Sequence, residues 1–138
     1  MAIAYLSRRS VFSASHRLHS KSLSAAENTR LFGKCNGING HGHNYVLEVV
    51  VRAAIHPQTG LIMNLVDLKQ SIDDTVMKEM DHKNLNLDVP AFKELNPTVE
   101  NMAVVIWQML ENTLAPGLLF EVRLHETENN VAIYRGEN

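Results

Sequence analysis

The run His43-Asn-Tyr-Val-Leu-Glu-Val-Val-Val-Arg-Ala-Ala-Ile55 constrains this chain more than any other stretch. It is rich in β-branched residues and alternates, so it reads as a strand with Tyr45, Leu47, Val49 and Val51 on one apolar face. Such a face needs neighbouring strands and a cover. Residues 3–16 read as a second strand, and residues 118–126 and 131–135 as two more, joined by Glu128-Asn-Asn130. A turn at His56-Pro-Gln-Thr-Gly60 leads into a short strand, Leu61-Ile-Met63. The cover comes from two helical stripes. Asn64 caps the first, with Asp67 in its first turn and Leu65, Leu68, Ile72, Val76 and Met80 along one side. Thr98 caps the second, whose stripe is Val99, Met102, Ala103, Ile106, Leu110 and Leu114, closed by Pro116-Gly117. Ser24 with Glu27 marks a capping box for a short helix in the polar stretch 20–40. Residues 83–97 read as a loop. The order strands, helices, strands predicts an α+β fold with a mainly antiparallel sheet.

A chain of 138 residues suffices for one core, so residues 1–138 read as a single domain. The formal charge of −2 excludes nucleic-acid or anionic-membrane binding through bulk electrostatics. No apolar run is long enough to span a bilayer, and one cysteine cannot form an internal disulfide. A cytoplasmic location is therefore expected.

Strand parity gives the first chemistry. Extending the phase of Tyr45 backward puts His41 and His43 on one face, and His16 shares the phase of Phe12 and Ala14. Three neutral imidazoles with a position left open are the ligand set of a catalytic zinc ion. The competing reading makes His41-Gly-His43 a turn with surface histidines. Glu126 continues the phase of Phe120, Val122 and Leu124, which puts a carboxylate where the core should be. Either it meets a ligand with adjacent N–H donors or the strand has ended and it is solvated. Cys35, in the loop Gly33-Lys-Cys-Asn-Gly-Ile-Asn-Gly40, is either an inert small hydrophobe or a usable thiolate. Asp81-His82 suits a proton relay and equally a helix terminus.

Several ordered runs carry a resemblance across nearly the whole chain: Phe12-Ser-Ala-Ser-His-Arg-Leu18, Leu31-Phe-Gly-Lys-Cys-Asn36, Asn39-Gly-His-Gly-His-Asn-Tyr45, Met63-Asn-Leu65, Met80-Asp-His-Lys-Asn-Leu85, Glu100-Asn101 and Glu126-Thr127. They resemble the 6-pyruvoyltetrahydropterin synthase family. The spacing Cys-x5-His-x-His is like that of the animal members, rather than the bacterial 6-carboxytetrahydropterin synthases of tRNA modification. That related enzyme and a non-catalytic pterin-binding hexamer remain the alternatives.

The resemblance implies a T-fold: a four-stranded antiparallel sheet with two helices on one face, closed into barrels within a hexamer of two trimers. It implies sites at subunit interfaces and a lyase reaction. There, 7,8-dihydroneopterin triphosphate loses triphosphate to give 6-pyruvoyltetrahydropterin, in tetrahydrobiopterin biosynthesis. By motif, His16, His41 and His43 would hold one Zn2+ per subunit, with Mg2+ also required for activity. Cys35 would be the proton acceptor and Asp81 with His82 the relay. Glu126 would anchor the pterin, assisted by Thr98 and Glu100. Human-type members carry a second threonine where this chain has Val99. Arg17 and Lys34 are the nearest candidates for the triphosphate, and Arg8-Arg9-Ser10, though like a kinase site, reads as a solvated strand end.

Overall fold

The computed structural model describes all 138 residues. Its elements run β1 (Ile3–His16), α1 (Ala25–Phe32), a 3-10 turn (Gly33–Asn36) and β2 (His41–Ala54). Then come α2 (Leu65–Ile72), a π-helical segment (Asp73–Met77), α3 (Lys78–Met80), β3 (Lys83–Asn84) and α4 (Leu85–Asp88). A 3-10 turn (Pro90–Phe92), α5 (Val99–Glu111), β4 (Leu119–His125) and β5 (Val131–Tyr134) complete the chain. The sheet order is β3-β1-β2-β4-β5. The α+β class stands, but the sheet has five strands rather than four. The addition is β3, which runs parallel to β1 at Ala14↔Lys83 and Ser15↔Asn84. A strand of two residues carries no alternation, so the stretch 83–97 gives no sign of it in sequence.

The two long strands β1 and β2 form one ladder from Ile3↔Ala54 to His16↔His41. Phe12, Ala14 and His16 of β1 and Tyr45, Leu47, Val49 and Val51 of β2 are buried on one face. Leu68, Ile72, Val76 and Met80 of the first helical run, and Met102, Ile106 and Leu110 of α5, complete a single core against it. A strict four-residue spacing drifts around a 3.6-residue helix. The wider π turns at Asp73–Met77 take up that drift and keep Val76 and Met80 on the buried side. Leu65, at the helix start, is exposed and does not belong to the stripe. Leu114 is buried from the turn after α5, which ends at Glu111, well before Pro116.

Two further expectations fail. Leu61–Met63 is not a strand, because the His56 amide donates to the Leu61 carbonyl at 2.9 Å. That bond folds the turn back on itself and leaves no partner strand. Phe120 does not share the core phase of Val122 and Leu124. A β-bulge opposite Val50 and Val51 pairs those residues with Glu121 and Leu119, skipping Phe120. Leu119 takes the core position, and the Phe120 ring packs edge-on against Tyr5 at 4.9 Å on the other face. That second face has no helical cover, and Ile3, Tyr5, Val11 and Ile133 lie exposed on it. No helix is long and apolar enough to cross a membrane.

Candidate metal centre

The last rung of the β1–β2 ladder is His16↔His41, and His43 follows one pleat further in. Ring centroids stand 4.8 Å apart for His16 and His41, 5.2 Å for His16 and His43, and 4.9 Å for His41 and His43. One ligand nitrogen from each lies within 4.8 Å of the other two. His16 is fully buried, and its Nδ1 lies 2.7 Å from the Pro97 carbonyl. A carbonyl only accepts, so Nδ1 carries the proton and Nε2 presents its lone pair to the cluster. His43 Nε2 is buried with no hydrogen-bond partner. An orphaned nitrogen among three converging imidazoles fits a metal ligand, and the donor set fits zinc.

The approach depends on a glycine, though not on the one between the histidines. A Cβ at Gly42 would meet the Ala14 carbonyl at 3.5 Å, an ordinary contact. At Gly40 the φ is +74°, and a Cβ would sit 2.9 Å from the His16 carbonyl oxygen. Gly40 is what lets the chain turn into β2 tightly against His16.

The electrostatics favour neutral, ligating imidazoles. Burial pushes His16 down to about 4, the Pro97 carbonyl opposes this in part, and His41 and His43 add to it. His43 is also lowered, by burial first and by His41, with Glu126 pulling the other way. Tyr45, fully buried, has its hydroxyl 3.4 Å from both His16 nitrogens. Burial raises this phenol well above its ordinary range, and the charges of Glu126 and of Cys35 as thiolate push the same way. It stays a neutral donor beside the cluster.

Glu126 resolves between its two sequence readings in an unexpected way. It lies just past β4, with its amide tied to the Asn130 carbonyl at 3.1 Å. Yet its carboxylate turns inward, Oε2 standing 3.7 Å from His16 Nε2, and keeps a small exposed edge. That edge and His43 line a cleft of about 810 Å3 shared with Arg9, Glu48, His125 and Thr127. Cys35 sits half-buried in the first 3-10 turn, its carbonyl bonded by the Leu18 amide at 2.8 Å.

Asp81 and His82 bond to β1 and to each other. They flank the β3 edge of β1, where Asp81 Oδ1 accepts from the Ser13 amide at 3.0 Å and meets His82 Nδ1 at 2.9 Å. His82 is the one non-glycine residue with positive φ, 63°, and its side chain is 83% exposed. No hydrogen bond joins the pair to the imidazoles. The Thr98 hydroxyl accepts from the Asn101 amide as the cap of α5, and Glu100 is exposed in the first turn. Arg17 Nε is used on the Asn36 carbonyl at 2.9 Å. Sequence parity places Tyr45 on the site's face without marking its hydroxyl. The Pro97 carbonyl has no side-chain signal at all.

The family model for 6-pyruvoyl tetrahydropterin synthase matches residues 5–137. The chain is 53% identical to a Homo sapiens 6-pyruvoyl tetrahydrobiopterin synthase over 134 residues, covering 97% of this chain and 92% of that one. It is 50% identical to the Drosophila melanogaster protein of the same name, covering 97% and 80%. The solved Caenorhabditis elegans 6-pyruvoyl tetrahydropterin synthase superposes with a TM-score of 0.96 at 42% identity, covering 99% and 98%. The Plasmodium vivax structure of that name, at 17% identity and a TM-score of 0.73, shares the fold. Identity at this level along the whole domain leaves one assignment: the chain belongs to the 6-pyruvoyl tetrahydropterin synthase family.

Proposed function

We propose that this chain is the lyase of its family, acting on 7,8-dihydroneopterin triphosphate in tetrahydrobiopterin biosynthesis and releasing triphosphate as 6-pyruvoyltetrahydropterin forms. The observation that carries the reading is the convergence of His16, His41 and His43 beside the inward carboxylate of Glu126. His16, His41 and His43 would hold one Zn2+ per subunit, with Mg2+ a second requirement. When bound, that zinc supplies Lewis acidity toward side-chain oxygens of the substrate.

The chain's own residues do the rest. Glu126 accepts from the adjacent N–H donors of the pterin edge and so orients the side chain. Cys35, as thiolate, takes the proton from the carbon next to the departing triphosphate. His82, held by Asp81 at 2.9 Å, passes protons during tautomerisation. Thr98 and Glu100, at the start of α5, contribute to the pterin pocket. The cleft beside Glu126 and His43 is large enough for a bicyclic pterin.

The working form is a homohexamer of two trimers with barrels closed by the sheets, cytoplasmic, each subunit a single domain over residues 1–138. Two features support it: the uncovered sheet face with exposed Tyr5 and Val11, and the lack of any hydrogen bond between Asp81-His82 and the imidazoles of its own chain. In this reading a neighbour's His82 completes each site. Incubating the zinc-loaded protein with dihydroneopterin triphosphate and identifying the product tests it. Release of triphosphate with 6-pyruvoyltetrahydropterin is expected; 6-carboxytetrahydropterin or no turnover would overturn it. Sedimentation of the full chain at a monomer's mass would overturn the assembly.

A further inference from the structure

Beyond His16 the ladder of β1 ends, yet the next four residues do not become a loose loop. The Arg17 amide donates to Asn86 Oδ1 at 2.7 Å, and Asn86 Nδ2 returns a bond to the Arg17 carbonyl at 3.0 Å. The His19 amide donates to Asn96 Oδ1 at 3.1 Å. The Ser20 amide donates to Asn28 Oδ1 at 2.7 Å, and Asn28 Nδ2 reaches the Ser20 carbonyl at 2.9 Å. Side-chain amides from α1, α4 and the loop before α5 thus stand where a neighbouring strand would. Asn28 is fully buried, its Nδ2 shared among three carbonyls.

The fourth asparagine faces the other way. Asn36 Nδ2 donates to the Leu18 carbonyl at 2.8 Å and to His19 Nδ1 at 2.9 Å. The Leu18 amide bonds the Cys35 carbonyl at 2.8 Å, and Arg17 Nε bonds the Asn36 carbonyl at 2.9 Å. Four bonds therefore fasten the turn bearing Cys35 to the residues that directly follow His16. The 3-10 turn has no buried residue of its own, so apolar packing does not place it. Hydrogen bonds do.

We propose that Asn36, braced from behind by Asn28, Asn86 and Asn96, is a positioning residue that sets the Cys35 thiol relative to the three-histidine site. Without the Asn36 side chain two bonds remain, the Leu18 amide on the Cys35 carbonyl and Arg17 Nε on the Asn36 carbonyl, and the second hangs on a long, flexible side chain. The two bonds from Asn36 Nδ2, to the Leu18 carbonyl and to His19 Nδ1, hold the turn against pivoting on that pair. Misplacing a reacting group by about 1 Å costs up to about 100-fold in rate. This rests on the reading of Cys35 as the base, and the experiment separates the two.

Because Cys35 is the only cysteine, its alkylation can be followed by mass without interference. Asn36→Ala in the zinc-loaded full chain should lower kcat for triphosphate release about 10- to 100-fold. KM and bound zinc should stay within about twofold, and the rate of Cys35 alkylation by iodoacetamide in the metal-free protein should change at least about threefold. Asn86→Ala, which removes two bonds to Arg17 and touches neither Cys35 nor a histidine, should change kcat and alkylation in the same sense but less. This second variant decides the matter if Asn36→Ala does not fold. Unchanged kcat and alkylation in either folded variant would overturn the clamp, as would loss of activity accounted for by lost zinc. A Cys35→Ala variant with full turnover would sink the base assignment instead, and the clamp would then stand or fall on the alkylation rate.

Discussion

Two polar clusters are built into this sheet, on opposite faces, and they are buried on opposite terms. On the open face, Glu121 is 4% exposed and accepts from both Arg123 Nε and Arg135 Nε, the latter at 2.8 Å. Burial acts to raise its carboxyl, but the Arg135 and Arg123 bonds and charges outweigh this and hold it below the usual range. That cluster carries its own counter-charges and asks for nothing. On the helix-covered face, His16, His41 and His43 converge, and the buried His43 Nε2 has no protein hydrogen-bond partner. A buried group with its partners is structure; a buried group lacking one is a place for a ligand.

The contrast can be broken most directly at His43. His43→Ala should lower zinc affinity by more than about 100-fold and abolish turnover, measured by metal analysis and chelator competition, since one of three protein ligands is gone. Glu121→Gln should leave zinc affinity unchanged. Equal losses from both substitutions would erase the distinction between the two clusters.

Acid should separate the clusters in the metal-free protein. Burial pushes His16 in the folded chain down to about 4 from its ordinary value of 6.5, so the unfolded chain binds that proton more readily. Its contribution is present above pH 6.5, is lost as pH falls toward about 4, and amounts to about 3 kcal/mol. Glu121 is also lowered, so its contribution is present above its ordinary carboxylate value near 4.5 and is lost below that. Urea unfolding at stepped pH should show the first decline in the wild type and in Glu121→Gln alike. Only the lower decline should flatten in Glu121→Gln. A flat profile between pH 6.5 and 4 would contradict the burial of a neutral His16.

Smaller effects follow. At pH 7, Glu121→Gln should cost about 1–2 kcal/mol, less than for a fully buried pair, because both arginines are half-exposed and stay hydrated. Tyr45→Phe should cost under about 1 kcal/mol by the same measurement. Its hydroxyl stands 3.4 Å from either His16 nitrogen, too far for a strong bond.

Much of this was legible in the sequence, and the failures have physical causes. Alternation placed β1 and β2 within two residues because one face of each is buried, and the same parity brought His16, His41 and His43 to one side. It misassigned Phe120 because a bulge shifts parity by one without altering composition. It could not find β3, whose two residues show no period, nor the Pro97 carbonyl, which is backbone. Asp81 and His82 are hydrogen-bonded to each other, but nothing local in the sequence says which edge of β1 they occupy.

The position of His16 and His41 at the final rung has a consequence for how the chain holds together. Strand pairs fray from their ends, and this end is the mouth of the excursion from residue 17 to residue 40, which contains α1 and Cys35. A divalent ion bridging β1 and β2 there would act as a clasp on a hairpin. It would bind the paired strands and not the open chain, so its binding free energy would add to folding, in a chain whose single thiol cannot supply an internal disulfide. Removing the ion should therefore open that mouth before it melts the core, and limited proteolysis of the chelated protein should cut first between Arg17 and Gly40.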